Sequence, residues 1–288
     1  MPSTSHANHL PESLKIANAG FGQISDALNE TIIEHRLCRS FTVPGIARSI
    51  EVKIASERKE WEQAFELLAE TYKARGYEAA DSNSLRFTPF HALPDTVTFV
   101  AKYQGNVIAT LSLVLDNNLL GLPMECIYGE EIEDLRKIGR RFGEATSLAD
   151  KGLSLREFIP VFVSLIRILI QYTLYQGGDS WVISVNPRHR NYYRKVMGFV
   201  PLGPWRAYPS VENHPAEAYL LDLDLLKTKP GIYQQIMGEA LSPEIFKSQP
   251  MSAHLIREFA SKSNHADSLI IRNLLEIVDR KTTMIRWR

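Results

Sequence analysis

Hydrophobic and polar residues follow regular patterns along most of the chain, and these patterns predict its secondary structure. The alternating run "SIEVKIA" at 49–55 predicts a β-strand, and the two β-rich runs on either side of "QGN" at 104–106 are typical of a hairpin. Between them we expect an amphipathic helix whose buried face consists of Trp61, Phe65, Leu68 and Tyr72. Four later runs predict further strands: "FGEATSLAD", "SWVISV", "FVPLGPWRAY" and "AYLLDLDL".

Two further helices are predicted between these strands. "GLPMECIYGEEIEDLRKIGRR" contains a short acidic helical segment, and "LREFIPVFVSLIRILIQYTLYQGG" is a long helix that ends at its glycines. The most apolar part, 158–174, is interrupted by Arg167 and Gln171 and is shorter than the ~20 residues that span a bilayer, so we expect a buried helix. Leaving the acidic segment aside, the order β-α-loop-β-β-β-α-β-α-β-β, followed by helices, predicts a mixed α/β sheet with helices on both faces.

The chain divides into three parts by pattern and composition. Residues 1–45 are polar and predict a loosely held arm, 46–228 form the main α/β domain, and 229–288 form a helical extension. The apolar positions of the extension either pack on the main domain or form a homodimer contact: Leu255, Ile256, Phe259, Ile270, Leu274 and Leu275. The N-terminal residues lack a charged segment followed by an apolar core, so we expect no signal peptide and a cytoplasmic location.

Charge and cysteine content narrow the function classes. The 33 lysines and arginines balance 33 aspartates and glutamates, so no global field attracts nucleic acid, and we expect no nucleic-acid partner. Neither cysteine, Cys38 or Cys126, belongs to a C-x-x-C pair, and no His/Cys cluster has zinc spacing. A metal site is therefore not predicted, and two isolated thiols fit a reducing compartment.

The segment "VNPRHRNYYRKVMGFVPLG" at 185–203 concentrates cationic and phenolic side chains directly after a predicted strand. Its cations are either one solvated helix face or the wall of a site for an anionic ligand: Arg188, Arg190, Arg194 and Lys195. The strand, "NPRHRNYYRKVMGF" and the following strand resemble the helix beside the acyl-donor tail in the GNAT acyltransferase fold.

Four more motifs occur in the order of one family: "TVTFVAKYQGNVIATLSLV", "GLPMECIYGEEIEDLR", "GEATSLA" and "PAEAYLLDLDL". Over residues 49–226 the chain resembles the bacterial N-acyl amino acid synthases, which are GNAT-fold relatives of the acyl-homoserine lactone autoinducer synthases. The resemblance implies a GNAT-like, mostly antiparallel mixed sheet. It also implies transfer of a long-chain acyl group from acyl carrier protein to the amino group of an amino acid. No tightly bound cofactor is implied, only acyl-phosphopantetheine or acyl-CoA as cosubstrate, and the lipid-like product suggests at most weak membrane association.

The segment after "FGEATSLAD" bears on the identity of the acyl donor. Coenzyme A-using relatives have a glycine-rich loop here, which holds the pyrophosphate at a helix N-terminus. The segment "SLADKGLSLREF" contains only Gly152 and no such loop, which favours the carrier protein, because its phosphopantetheine arm lacks the diphosphate. The backbone of Thr146, Ser147 and Leu148, together with Asn186, is expected to bind this arm, and the four cations of 185–203 are expected to attract its phosphate and the acidic carrier.

Three residues are candidate catalytic groups. Glu144 corresponds to a glutamate of the autoinducer synthases and is expected to deprotonate the amine, directly or through a water. His189 is an alternative base or a substrate-positioning group. Tyr193 is expected to protonate the leaving thiolate, although it stands six residues before Phe199 where many relatives have five. Because it neighbours Tyr192, only one of the two is expected to face the donor.

Other assignments remain open from the sequence alone. Glu144 could instead pair with Arg140 or Arg141, and the autoinducer synthases have an arginine where this chain has Ser147. Arg136 and Arg140 are candidates for binding the substrate carboxylate. The helix at 158–174 is either simple core or, with Leu111, Leu113 and Phe142, the lining of an acyl tunnel.

Two other functions compete with the synthase. One is a coenzyme A-dependent N-acetyltransferase of the same fold, and the other is a non-catalytic domain that binds an acyl carrier.

Overall fold

The computed structural model describes residues 40–42, 49–80, 85–228, 240–247 and 250–280. Eight strands form one sheet in the order β1-β2-β3-β4-β5-β6-β8-β7. Every neighbouring pair is antiparallel except β5 and β6, which are parallel. The strands are β1 Ser40–Thr42, β2 Ser49–Ile54, β3 Val97–Tyr103, β4 Asn106–Leu115, β5 Phe142–Asp150, β6 Ser180–Val185, β7 Val200–Tyr208 and β8 His214–Asp222.

Helices cover both faces of this sheet, as the sequence pattern predicts. The α-helices are α1 Arg58–Ala74, α2 Glu125–Lys137, α3 Leu155–Tyr175, α4 Leu223–Thr228, α5 Ala253–Ser261 and α6 His265–Arg280. Short 3₁₀ turns lie at Pro89–Ala92, Pro187–His189, Pro209–Val211 and Pro243–Phe246, and a π-helical turn lies at Tyr192–Val196. The mixed, mostly antiparallel architecture expected from the sequence is confirmed.

Strand alternation separates two apolar layers. In β6, Trp181 and Ile183 belong to the apolar layer that contains α3, whereas Val182 belongs to the layer on the opposite face, which contains α1, α2, α5 and α6. Because side chains alternate along a strand, one short run contributes to both layers. The predicted hairpin between β3 and β4 is present, and its turn has two residues. Gln104 (φ 49°) and Gly105 (φ 76°) both have positive φ, as the tight turn of a twisted hairpin requires.

Helix α3 is the central helix of one layer. It has 21 residues, so the argument that its apolar segment is too short to span a bilayer is wrong. Among the described residues it is the one helix long and apolar enough to cross a membrane, and 67% of its most apolar window is buried inside the protein. It contacts β2, β3 and β4, which makes it a core helix.

The described residues of the predicted arm and of the extension pack with the main domain. Strand β1 lies within the predicted arm, yet it pairs with β2. In the extension, the Phe259 ring lies 5.6 Å from the Phe65 ring and 5.5 Å from the Phe87 ring, centroid to centroid. Of the two alternatives for the extension, packing on the main domain is therefore correct for most of its apolar positions. Ile270 differs, because it is 43% exposed. Residues 1–39 and 229–239 lie outside the described residues.

Candidate active site

A gap between β5 and β6 organises the site. The two strands pair at Phe142↔Ser180, Gly143↔Trp181 and Glu144↔Val182 only, although β5 continues to Asp150 and β6 to Val185. Beyond Glu144 the strands diverge, so the facing edge of β5 has no β6 partner. An extended group inserted there can pair with backbone N–H and C=O groups, as an additional strand would.

A bulge in β5 lies beside this gap. Ser112 of β4 pairs with Thr146 and Thr110 pairs with Ala149, so Ser147 and Leu148 both lie opposite Leu111. Ser147 has a φ of 60°, in the left-handed region that a residue with a side chain seldom adopts. The extra residue bends β5 and redirects its backbone next to the gap.

Two cavities meet in the gap. The larger cavity has a volume of about 520 Å³ and extends between α1, the 3₁₀ turn Pro89–Ala92 and the start of α6. The apolar cavity, of about 170 Å³, lies between α3 and the π-helical turn. The residues that line both are Tyr72, Tyr77, Thr146, Ser147, Ser184, Val185 and Asn186. The predicted donor-binding residues Thr146, Ser147 and Asn186 thus lie where the cavities join, and Leu148 lines the apolar cavity.

Glu144 is a buried carboxyl group on the wall of the larger cavity. Its Oε2 accepts a hydrogen bond from the Met124 amide at 2.8 Å. Burial raises the pKa of Glu144 to about 8; the Met124 bond opposes this rise, and the Glu125 charge adds to it. Near neutral pH such a carboxyl can both bind and release a proton. The alternative pairing is wrong, because Arg140 contacts Asp222 and Asp179, and Arg141 contacts Asp179.

His91, which the sequence did not single out, also lines the larger cavity. The Thr88 amide donates to its Nδ1 at 3.1 Å, so Nε2 carries the hydrogen and donates to Ser147 Oγ at 3.3 Å. Burial lowers the pKa of His91 to about 3, with a further contribution from Arg86. The neutral imidazole thus braces the strained bulge at Ser147.

His189 lines the apolar cavity, and Glu144 lines the larger one. Arg188 Nε donates to His189 Nε2 at 3.2 Å. Burial lowers the pKa of His189 to about 4, and the Arg188 and Arg75 charges add to this effect. His189 is therefore neutral, with its Nε2 engaged, on the side of the gap opposite to the carboxyl.

The tyrosine pair lies on a π-helical turn. The Met197 amide bonds to the Tyr192 carbonyl, five residues earlier, at 3.2 Å. A π turn accommodates one inserted residue, which accounts for the six-residue spacing between Tyr193 and Phe199. Both tyrosines line the apolar cavity, and the expectation that only one of them faces the donor stays a prediction. Burial raises the pKa of Tyr193 to about 12, which keeps its hydroxyl protonated and able to donate.

The four cations of 185–203 occupy different environments. Arg188 donates to the Tyr77 hydroxyl at 3.0 Å, and Arg190 forms an ion pair with Glu217. Arg194 and Lys195 are exposed and form no ion pair within the described part of the chain. All four side chains are therefore exposed, and the two without an ion-pair partner lie on the π-helical turn.

Arg136 and Arg140 do not fit their predicted role in carboxylate binding. Arg136 binds both oxygens of Asp116, at 2.6 and 3.0 Å, and also contacts Glu125. Arg140 donates to Asp222 at 2.6 Å. Neither lines the larger cavity. Acidic partners on neighbouring elements already bind both guanidinium groups, so this prediction is wrong.

Arg86 is the guanidinium that does line the larger cavity. It pairs with Glu78, stacks 4.1 Å over the Tyr72 ring and donates from Nη2 to the Ser210 carbonyl at 3.3 Å. A guanidinium has five N–H donors, and these bonds use two of them. The sequence showed this region only as an irregular stretch, with no periodicity to indicate a site.

The apolar cavity partly matches the predicted acyl tunnel. Leu111 and three residues of α3 line it: Phe158, Phe162 and Ile166. Leu113 and Phe142 are fully buried elsewhere and do not contribute.

Residues 63–222, more than half of the chain, match the model of a family described as N-acyl amino acid synthase FeeM. The chain belongs to the FeeM family of N-acyl amino acid synthases. The structure of FeeM, an N-acyl amino acid synthase from uncultured soil microbes, shares 26% identity with this chain. That superposition has a TM-score of 0.54 and covers 64% of this chain and 97% of FeeM.

Other similarities are more distant. The acyl-homoserine lactone synthase LasI is 14% identical, with a TM-score of 0.48, over 68% of this chain and 98% of its own. No curated protein matches the chain significantly. Membership of the FeeM family makes the protein an N-acyltransferase of GNAT-like fold that transfers an acyl group to an amine.

Proposed function

We propose that this member of the FeeM family transfers a long-chain acyl group from acyl carrier protein to the α-amino group of an amino acid. The observation that carries the proposal is the junction of the two cavities. One cavity is lined mostly by aromatic and aliphatic side chains, together with Arg75 and His189, and the other holds a buried carboxyl group and a guanidinium. The two cavities meet at the open edge of β5. The acyl-pantetheine arm occupies the gap and the apolar cavity, and the amino acid occupies the larger cavity.

The reaction removes two protons from the substrate nitrogen, adds one to the sulfur and releases the other to solvent. Ionised Glu144 accepts a proton from the substrate ammonium, and the free amine attacks the thioester carbonyl carbon. The C–N bond forms as the C–S bond breaks, and the leaving thiolate takes a proton from the Tyr193 hydroxyl. The tyrosinate recovers the second proton, which the nitrogen loses as it becomes an amide, and Glu144 releases the first proton to solvent. Unpaired backbone N–H groups of β5 beyond Glu144 are positioned to stabilise the developing oxyanion.

The N-terminus of α3 supports a donor without a diphosphate. Glu157 Oε2 accepts hydrogen bonds from the Ser154 amide, at 3.0 Å, and from Ser154 Oγ, at 2.9 Å. In coenzyme A-using relatives this helix end holds the pyrophosphate, whereas here it holds the chain's own carboxylate. Phosphopantetheine of a carrier protein needs no such cradle.

Arg86 is the proposed ligand for the substrate carboxylate. Its side chain is held on three sides by Glu78, Tyr72 and Ser210, which fixes the guanidinium before the substrate arrives. A fixed planar fork suits a carboxylate better than a mobile lysine does.

Comparing donors tests the function directly. The purified protein is incubated with an equimolar amino-acid mixture and either acyl carrier protein or coenzyme A charged with the same acyl chain. We expect N-acyl amino acids in the mass spectrum and a higher kcat/KM for the carrier-protein donor. A clear preference for acyl-CoA would contradict the choice of donor, and the absence of any N-acyl amino acid with either donor would contradict the proposed function.

Salt dependence tests the role of the exposed cations. If Arg194 and Lys195 attract an acidic carrier, kcat/KM falls as salt rises, because screening shortens the ~8 Å range of charges at physiological ionic strength. Arg194→Glu with Lys195→Glu is expected to flatten this dependence, whereas kcat at saturating donor stays the same. Acyl-pantetheine, which has no acidic protein attached, serves as the control and is expected to respond to neither change. An equal response of both donors would show that the cations are an ordinary solvated surface.

A further inference from the structure

Helix α6 has two faces with different surroundings. One face packs in the core through Ile271, Leu274 and Leu275. A second face, formed by Ala266, Asp267 and Ile270, lines the larger cavity. These positions are three and four residues apart and therefore share one side of the helix. The side chain of Ile270 is exposed because it lines the cavity instead of packing in the core.

The start of α6 is firmly held against the rest of the site. Ser263 Oγ donates to the Phe87 carbonyl at 2.8 Å, and Lys262 pairs with Glu62 at 2.9 Å. Asn264 Nδ2 donates to Asp267 at 2.6 Å, and the Asp267 amide donates back to Asn264 Oδ1 at 2.9 Å. Together with the buried Phe259 ring, these contacts make a preformed wall.

This wall lies outside the matched family segment. The match ends at residue 222, whereas α5 and α6 span Ala253–Ser261 and His265–Arg280. The family core therefore supplies the gap, Glu144 and Arg86, and the extension supplies an additional side of the cavity. A segment added to a shared catalytic core, in contact with the substrate cavity, is suited to changing which substrate fits.

We infer that the cavity-facing side of α6, formed by Ala266 and Ile270, determines which amino-acid side chains the enzyme accepts. The inference rests on the proposed function, in which the amino acid occupies the larger cavity. With the amine at Glu144 and the carboxylate at Arg86, the substrate side chain extends toward the remaining wall. That wall is apolar at Ile270 and Phe90, and the carboxylate of Asp267 on the same side is hydrogen-bonded to Asn264. The wall therefore selects by size and favours apolar side chains.

Substitutions that narrow or widen the cavity test the inference. Acceptor KM and kcat are measured for a series of amino acids of increasing side-chain size. Ile270→Trp is expected to raise KM about tenfold or more for the largest acceptors and to leave the smallest unchanged, because apolar pockets discriminate by about 10–200-fold per methylene. Ile270→Ala is expected to shift the preference toward larger side chains. Ala266→Leu narrows the same wall one turn earlier.

Leu269 provides the matched control. It is the neighbouring residue on α6 and is 53% exposed, but it does not line the cavity, so Leu269→Trp is expected to leave the acceptor series unchanged. Circular dichroism verifies folding of each variant. An unchanged acceptor series in folded Ile270→Trp or Ala266→Leu would overturn the inference. Failure of the wild-type protein to acylate any amino acid would instead overturn the proposed function.

Discussion

Glu144→Gln is expected to lower kcat by about 10²–10⁴-fold, the usual cost of losing a general base. The glutamine can still accept the Met124 amide through its carbonyl oxygen, so the geometry of the cavity wall is retained. Single-turnover acyl transfer at saturating donor and acceptor measures the effect on chemistry rather than on binding. Turnover near that of the wild type would remove Glu144 from the mechanism.

The same substitution has a second, independent signature in stability. The pKa of Glu144 is near 8 in the folded state and near its ordinary value of 4.5 when unfolded, so the unfolded chain releases the proton first as pH rises. Ionisation therefore destabilises the wild type between pH 4.5 and 8, by roughly 1.4 kcal/mol for each pH unit in this window. Glu144→Gln removes this loss, and the variant becomes progressively more stable than the wild type from about pH 5 to pH 8.

Urea unfolding at several pH values measures this difference. Glu131→Gln is the control, because hydrogen bonding to Arg206 lowers the pKa of Glu131 and its stabilisation is lost as pH falls, which is the opposite dependence. The Glu131→Gln variant is also expected to keep the kcat of the wild type, since Glu131 does not line the larger cavity. A flat stability difference for Glu144→Gln across this range would mean that the carboxyl is not held protonated.

The sequence was sufficient to predict the parts of the site that depend on local pattern. The strand that carries Glu144 follows from its local pattern, and the structure has that strand at Phe142–Asp150. The choice of Glu144 and of the neighbouring backbone as site groups came from the family resemblance. The spacing of Tyr193 could not be interpreted in the same way. A π turn changes the phase of a helix by one residue, and nothing in "YYRKV" distinguishes it from an α-helical turn.

The basic residues required three-dimensional information. Arg136 and Arg140 resemble free cations in the sequence, yet their partners Asp116 and Asp222 lie far along the chain and approach only when the sheet forms. Arg86 and His91 line the larger cavity but were not predicted to do so. They lie in an irregular stretch of sequence, where periodicity is uninformative. The contribution of α6 to the cavity depends on how the extension docks, which no local pattern encodes.

Arg86→Ala is expected to raise KM for the amino acid by about 10²-fold, because truncating a charged partner in a buried pair costs roughly 2–5 kcal/mol. Arg86→Lys retains the charge but not the planar fork, so a smaller increase is expected. Arg206→Ala is a closely matched control. Arg206 also pairs with a glutamate, Glu131, and also stacks over a tyrosine ring, at 4.7 Å, but it does not line the larger cavity. Both alanine variants are expected to lose some stability, and only Arg86→Ala is expected to lose affinity for the acceptor.

An acceptor that lacks the carboxylate shows whether Arg86 binds the substrate or only packs in the wall of the cavity. The primary amine that corresponds to the preferred amino acid, without its carboxylate, is expected to be a poor acceptor for the wild type. If Arg86 binds the carboxylate, Arg86→Ala hardly lowers kcat/KM for this amine further, since the interaction is already absent. If instead Arg86 only holds Tyr72 and Ser210 in place, the substitution lowers kcat/KM equally for the amine and the amino acid. Measuring the wild type and Arg86→Ala on both the amino acid and the amine therefore decides whether the guanidinium contacts the substrate or only supports the wall of the cavity.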